Sequence, residues 1–281
     1  MKLSLLAAES LGVRSMATAI NTNAGKICID PAAALGPSRF GLPPHKREEL
    51  ALKNSLATIC QAARDAKYIV ITHYHYDHFL PETDIYNKKI IFAKNIKENI
   101  NKSQMQRGTY FAERCKQVST IVYSDNSVHN LEDITVHFSP PFPHGPTGTR
   151  LGFTIMVTVE DKQTIVYTSD VQGPIDLHAV KYIIDQHPDV IIADGPPTYL
   201  SGWLFSHKNI RCAERNLMSI MEQTDSRLIL DHHLLRDGNY IRWLPNLYQD
   251  YGNRIQTFAE YNGAPNQLLE SQRKQLWIEE P

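Results

Sequence analysis

Short apolar runs alternate with amphipathic stretches along most of the chain. Residues 3–8, 13–20 and 26–29 are apolar or alternating runs cut by Gly12 and by a polar segment at 21–25, so they predict strands. A Pro/Gly/Ser-rich stretch at 31–44 predicts a loop. Over 45–66, Leu52, Leu56, Ile59, Cys60 and Ala63 recur at helical spacing and form one apolar stripe. Residues 68–71 and 89–92 predict short buried strands, and 96–118 a polar helix. Strand-like runs then accumulate at 120–123, 134–138, 151–159 and 164–168. The second half alternates helices near 176–186 and 208–223 with strands at 190–193 and 227–230. After Asn262 the periodicity weakens. The organisation expected is a domain over 1–262 and a C-terminal helix or tail over 263–281. Strands, helix, strands, helix in that order predict an α/β fold of two stacked sheets with helices on both outer faces.

Composition narrows the setting. Of 281 residues, 42% are hydrophobic, enough for a sizeable core, and the formal charge of -1 gives no global pull toward nucleic acid or an anionic membrane. The N-terminal apolar run stops at Glu9, too short for a signal peptide, and no stretch has the length of a membrane span. Cys28, Cys60, Cys115 and Cys212 are far apart, which fits buried thiols in a reducing compartment better than a disulfide framework. The expectation is a cytoplasmic protein with no membrane partner; the sequence sets no oligomeric state.

Candidate chemistry concentrates in His73-Tyr74-His75-Tyr76-Asp77-His78. In extended chain His73 and His75 point the same way and can grip one metal together. Asp77 and His78, after a turn, can face a second metal or orient a water. Imidazole and carboxylate ligands of this kind suit zinc, with manganese or iron as alternatives. Two metals about 3.5–4 Å apart need more ligands than one segment supplies. His144 follows a strand in a Pro-rich loop, Asp170 ends the strand at 164–168, and His232 and His233 follow the strand at 227–230. Each alone is an ordinary loop residue; as a set beside the histidine run they are candidate ligands.

This ordered set, with Asp30 ahead of it, resembles the metallo-β-lactamase superfamily of metallohydrolases. The wording around the motifs is similar to an uncharacterised, mainly archaeal branch of it. The resemblance covers roughly residues 1–260 and implies a four-layer αββα sandwich with the active site at one sheet edge and, usually, two zinc ions. It further implies that His73, His75 and His144 hold the first metal. Asp77, His78 and His232 would hold the second, with Asp170 bridging and Asp30 supporting the ligand loop from behind. His233, one residue from His232, is an alternative ligand or a group facing the substrate. Asp194, at the end of another strand, is a candidate supporting residue. Water activated by two divalent cations is then the nucleophile, with Asp77 able to orient it and pass on its proton. That is hydrolysis.

Substrate signals are thinner. Residues 194–207 interleave Gly and Pro with Tyr199, Trp203 and Phe205, and predict a shaped loop near the mouth of the site. Arg39, and Arg150 in the loop after His144, are candidate phosphate binders or solvated surface cations. A small-molecule or nucleic-acid phosphoester is the substrate expected from a likeness of 144–153 and 167–170 to phosphodiesterase and sugar-phosphate lactonase branches. Lactone, thioester or amide hydrolysis, an iron-dependent oxygenase, and a non-catalytic metal or nucleic-acid binding protein are the alternatives.

Overall fold

Alternation within single strands sets the layering. In a computed structural model of the chain, residues 1–81 and 84–280 are described; residue 281, last of the expected tail, lies outside the described residues. The first sheet hydrogen-bonds β1 (Lys2–Leu5), β2 (Thr18–Thr22), β3 (Gly25–Ile29), β4 (Tyr68–Ile71), β5 (Ile90–Ala93) and β6 (Thr120–Tyr123) in that order. Helix α1 (Lys46–Asp65) connects β3 to β4, and α2 (Lys102–Cys115) connects β5 to β6. Along β4, Tyr68 and Val70 point into one apolar cluster, while Ile69 and Ile71 point into another with Ala63 of α1 and Phe111 of α2. One face of the sheet therefore meets helices and the other meets a second sheet.

That second sheet starts with a hairpin, β7 (Ser127–Leu131) and β8 (Ile134–Phe138), and a two-stranded ribbon of β9 (Phe142–Pro143) and β10 (Phe153–Thr154) stands beside it. It continues through β11 (Val157–Glu160) and β12 (Thr164–Tyr167), then α3 (Leu177–Asp185), β13 (Val190–Ala193), α4 (His207–Gln223), β14 (Arg227–Leu230), α5 (Pro245–Tyr251) and β15 (Ile255–Gln256). The short α6 (Phe258–Tyr261) and α7 (Leu269–Glu279) close the described chain. Ile192 and Ile229 face the first sheet; Ile191, Ala193, Leu228 and Leu230 face Val180 of α3 and Leu217 of α4. The result is the four-layer αββα sandwich of the metallo-β-lactamase fold.

Some elements depart from the periodicity. The expected strand at 13–20 begins only at Thr18, and Val13 and Ala17 pack instead in a small cluster with Ile59 of α1. Residues 151–159 divide into β10 and β11. β7 was not expected: it lies at the sheet edge with a half-exposed, polar sequence, so no apolar run marks it. Of the cysteines, Cys28 and Cys115 are buried, whereas Cys60 and Cys212 are partly exposed.

Parallel pairing positions the site. β3 with β4, and β12 with β13 and β14, run parallel, so their C-terminal ends lie along common rims of the two sheets. All the expected site residues except His144 follow one of these five ends. Helix α7 returns over the loop at 31–44. Its Arg273 is fully buried, paired with both Glu48 oxygens at 2.7 and 2.8 Å and donating to the Gly36 and Leu42 carbonyls at 2.9 and 3.1 Å. No helix among the described residues is long and apolar enough to cross a membrane.

Candidate metal centre

At the strand exits the chain turns sharply. Asp30, Ser169 and His232 have φ of 48°, 55° and 52°, in the left-handed region, which non-glycine residues enter at a cost of about 1–3 kcal/mol when the surroundings hold them there. Each reversal aims its own or the next side chain at the rim between the sheets. After β4 the chain bends at His73 and turns over residues 76–78, where the His75 carbonyl accepts the His78 N–H at 2.9 Å. This turn brings His78 back beside His73, with ring centroids 4.1 Å apart.

Asp170 is the hub. Its Oδ2 lies 3.0 Å from His144 Nε2, 3.6 Å from His73 Nε2 and 3.7 Å from His233 Nε2. Its Oδ1 lies 3.2 Å from His78 Nε2 and 3.5 Å from His232 Nε2. His75 Nδ1 joins the first group, 3.1 Å from His73 Nε2, and Asp77 Oδ2 joins the second, 3.8 Å from His232 Nε2. Donor atoms of His73, His75, His144 and Asp170 lie within 4.8 Å of one another, as do those of Asp77, His78 and His232, and those of Asp170, His232 and His233. His144 is delivered by β9, its N–H bonded to the Gly152 carbonyl at 2.9 Å.

Carboxylates behind the rings fix which nitrogen faces Asp170. Asp30 accepts from His78 Nδ1 at 2.8 Å, Asp194 from His233 Nδ1 at 2.8 Å, and Glu9 from His232 Nδ1 at 2.8 Å. Asp30 also accepts from the Thr72 N–H and hydroxyl and from the Tyr167 hydroxyl. Thr72 and Ser169 hydroxyls stand 3.2 and 3.3 Å from His73 Nδ1. Glu9 and Arg236 were not among the residues singled out from sequence. Their only signal was a charged residue closing an apolar run, in Leu5-Leu6-Ala7-Ala8-Glu9-Ser10 and in Leu234-Leu235-Arg236.

Charge is distributed unevenly over the rings. Burial, with the neighbouring His78, holds His73 well below the usual imidazole range, and burial with His144 pulls His75 down to about 3. Burial also holds His233 well below that range against the pull of Asp170. For His78 and His232 burial is outweighed: Asp170 and Asp30 hold His78 well above, and Glu9 and Asp170 lift His232 to about 10. Against its burial, Asp170 is held well below the carboxylate range by His78, His232 and His233.

The donor set fits divalent cations. Buried His78 Nε2, His144 Nε2 and Asp170 Oδ1 make no hydrogen bond, although buried polar atoms almost always find a partner. They converge as imidazole and carboxylate donors do around zinc-type metals. The cluster opens into a cavity of about 660 Å³ that includes His75, Asp77, His144, His233 and Arg236 in its walls. Tyr199, Leu200, Leu204 and Phe205 of the aromatic loop line it, as do Arg150, Leu151 and Gln172, while Trp203 points to solvent with 78% of its surface exposed. Arg39 does not reach this cavity. It stacks on Tyr199, 4.8 Å from the ring centre, and lines an adjoining cleft.

Fold and rim together define a metallo-β-lactamase-fold protein with a His/Asp cluster able to bind metal. Solved structures of similar fold include an isothiocyanate hydrolase from Delia radicum gut bacteria (TM-score 0.56, 14% identity, 92% of this chain and 96% of that one). A possible metal-dependent hydrolase from Veillonella parvula (0.55, 12%, 87% and 94%) and a diphosphatase of the PhnP family (0.52, 13%, 91% and 92%) are also similar. No family model matches the sequence. Whole-length relatives do: the UPF0282 proteins of Pyrococcus abyssi (39% identity, 98% of this chain, 92% of the relative) and Methanopyrus kandleri (38%, 97% of each), and that of Saccharolobus islandicus LS215 (39%, 100% and 94%). The chain belongs to the UPF0282 family.

Proposed function

We propose that this protein is a metal-dependent hydrolase with two cation positions, acting on a phosphodiester or another phosphorylated compound in the cytoplasm. The observation that carries the reading is Asp170, whose two oxygens each face a separate group of imidazoles. His73, His75 and His144 would hold one divalent cation and Asp77, His78 and His232 the other, zinc being the first choice for such donors. Bound there, the cations supply Lewis acidity toward a substrate oxygen and toward water.

The chain's own residues do the remainder. Asp30, Glu9 and the Thr72 and Ser169 hydroxyls hold the ligand rings with their bonding nitrogens turned inward, as supporting partners do in metal sites. His233 is tied through Nδ1 to Asp194 and presents Nε2 to the cavity, where the neutral ring can accept a proton from an attacking water. This favours a substrate-facing role for His233 and a ligand role for the deeper His232. Arg150, exposed at the cavity wall and without a side-chain hydrogen bond or ion pair among the described residues, is placed to meet a phosphate oxygen. A second reading, hydrolysis of an uncharged lactone or thioester, is favoured by the apolar wall of Leu151, Leu200, Leu204 and Phe205.

One panel tests both. Purified protein of measured metal content is assayed on bis(p-nitrophenyl) phosphate, lactones and thioesters. Metal-dependent turnover of the phosphodiester is expected; turnover of lactones or thioesters alone would move the assignment to the second reading. No turnover in metal-loaded protein would remove it.

A further inference from the structure

The two groups of donors around Asp170 differ in one respect that their residue types do not reveal. Among the described residues, no lysine or arginine nitrogen lies within hydrogen-bond or ion-pair distance of His73, His75, His144 or Asp170. The second group has a guanidinium inside it. Arg236 Nη2 is 3.2 Å from His232 Nε2 and 3.4 Å from Asp77 Oδ2, two of the three donor atoms of that group. The guanidinium is buried and cannot drift. Its Nε is clamped to Glu9 Oε1 at 2.6 Å, while Glu9 Oε2 holds His232 Nδ1 at 2.8 Å, so one carboxylate fixes both the ring and the cation beside it. Nη1 reaches the Tyr199 hydroxyl at 3.4 Å.

An arginine stays charged at any pH a protein survives. A divalent cation drawn to His232 Nε2 and Asp77 Oδ2 therefore meets a permanent positive charge already touching both. Glu9 cancels part of it, but the Nη2 end of the Glu9–Arg236 pair is the positive end, and it faces the donors. We propose that Arg236 is a resident cation of the second position, so that this protein fills its two metal positions unequally. The His73–His75–His144 position binds tightly and the Asp77–His78–His232 position weakly. The inference rests on the two-position reading above.

The test is a zinc titration of the full-length, chelator-stripped protein against a competing chromogenic chelator, with bound metal counted by elemental analysis. The wild type is expected to bind two ions in two classes whose dissociation constants differ by about tenfold or more, an effect within reach of charges at this range. Arg236→Gln is expected to tighten the weak class by about tenfold and leave the tight class in place, while Arg236→Lys keeps the split. Should Arg236→Gln fail to fold, the double variant Glu9→Gln/Arg236→Gln is compared with Glu9→Gln: both lack the carboxylate behind His232, so a tighter weak class in the double variant reads the guanidinium alone. Two equal classes in the wild type, or a weak class no tighter in Arg236→Gln than in the wild type or in the double variant than in Glu9→Gln, would overturn the proposal and leave the two-position reading standing. Absence of any zinc binding would sink both.

Discussion

Replacing Asp30 by Asn separates charge and hydrogen-bond count from backbone conformation at the base of the site. Asn tolerates the left-handed φ of 48° that Asp30 adopts, so the turn after β3 should persist. The hydrogen bonds cannot. Asp30 Oδ1 accepts the Thr72 N–H at 2.8 Å, and Oδ2 accepts the Thr72 hydroxyl at 2.6 Å, His78 Nδ1 at 2.8 Å and the Tyr167 hydroxyl at 2.9 Å. An amide has one acceptor oxygen. If it faces the three donors, its NH2 opposes the Thr72 N–H; if it turns over, three buried donors meet an NH2. Bonds to a charged acceptor contribute about 1.5–3 kcal/mol each, and a stranded buried donor costs about 1–3 kcal/mol. Allowing for relaxation, Asp30→Asn should lose roughly 2–4 kcal/mol, or about 5–10 °C in midpoint for a domain of this size. Tyr167→Phe, which removes one donor and strands nothing, should lose only about 1 kcal/mol. His78 loses its orienting carboxylate in Asp30→Asn, so metal affinity should fall by about 10–100-fold. Thermal melts and metal titration on both variants check the order. An Asp30→Asn protein no less stable than Tyr167→Phe, with metal affinity unchanged, would refute the idea that this carboxylate organises the site.

Three further outcomes are expected. His75→Ala should lose bound metal and hydrolytic activity together while keeping its circular dichroism; full activity at full metal content would contradict the ligand assignment. Arg273→Met leaves Glu48 as an unpaired buried charge and should cost about 3–5 kcal/mol in denaturant titration, with Glu48→Gln/Arg273→Met recovering part of the loss. Glu270 is pushed up by burial, but its two bonds to Arg14 at 2.6 and 2.7 Å win and hold it below the usual carboxylate range. A depressed carboxylate adds stability above its unfolded value, near ~4.3, and that stability is lost as pH falls through the folded value. Glu270→Gln should therefore be less stable than wild type at neutral pH by roughly 1–2 kcal/mol, with the gap closing in acid. A gap that stays constant from pH 7 to pH 3 in denaturant titrations would refute this.

The chain announces some of this by itself. The histidine run is local, so spacing alone places four metal-type side chains in one turn, and strands that end in His or Asp mark the candidates far from it. Near-continuous apolar runs in β4, β13 and β14 specify burial on both faces, which together with the order of strands and helices is enough to predict the layers. β7 escapes because an edge strand facing solvent needs no apolar face.

What the sequence could not decide is which atom faces which. His232 and His233 are neighbours with equal credentials; only the left-handed turn at His232 sends one ring to Glu9 and the other to Asp194. Glu9 and Arg236 are 227 residues apart, and no periodicity links them. They meet because β1 and β14 lie in different sheets whose packing brings the segment after each to the same rim. Residue types and strand ends are properties of short segments. The charge beside each donor is set by the stacking of two sheets, which exists only once the whole core has formed.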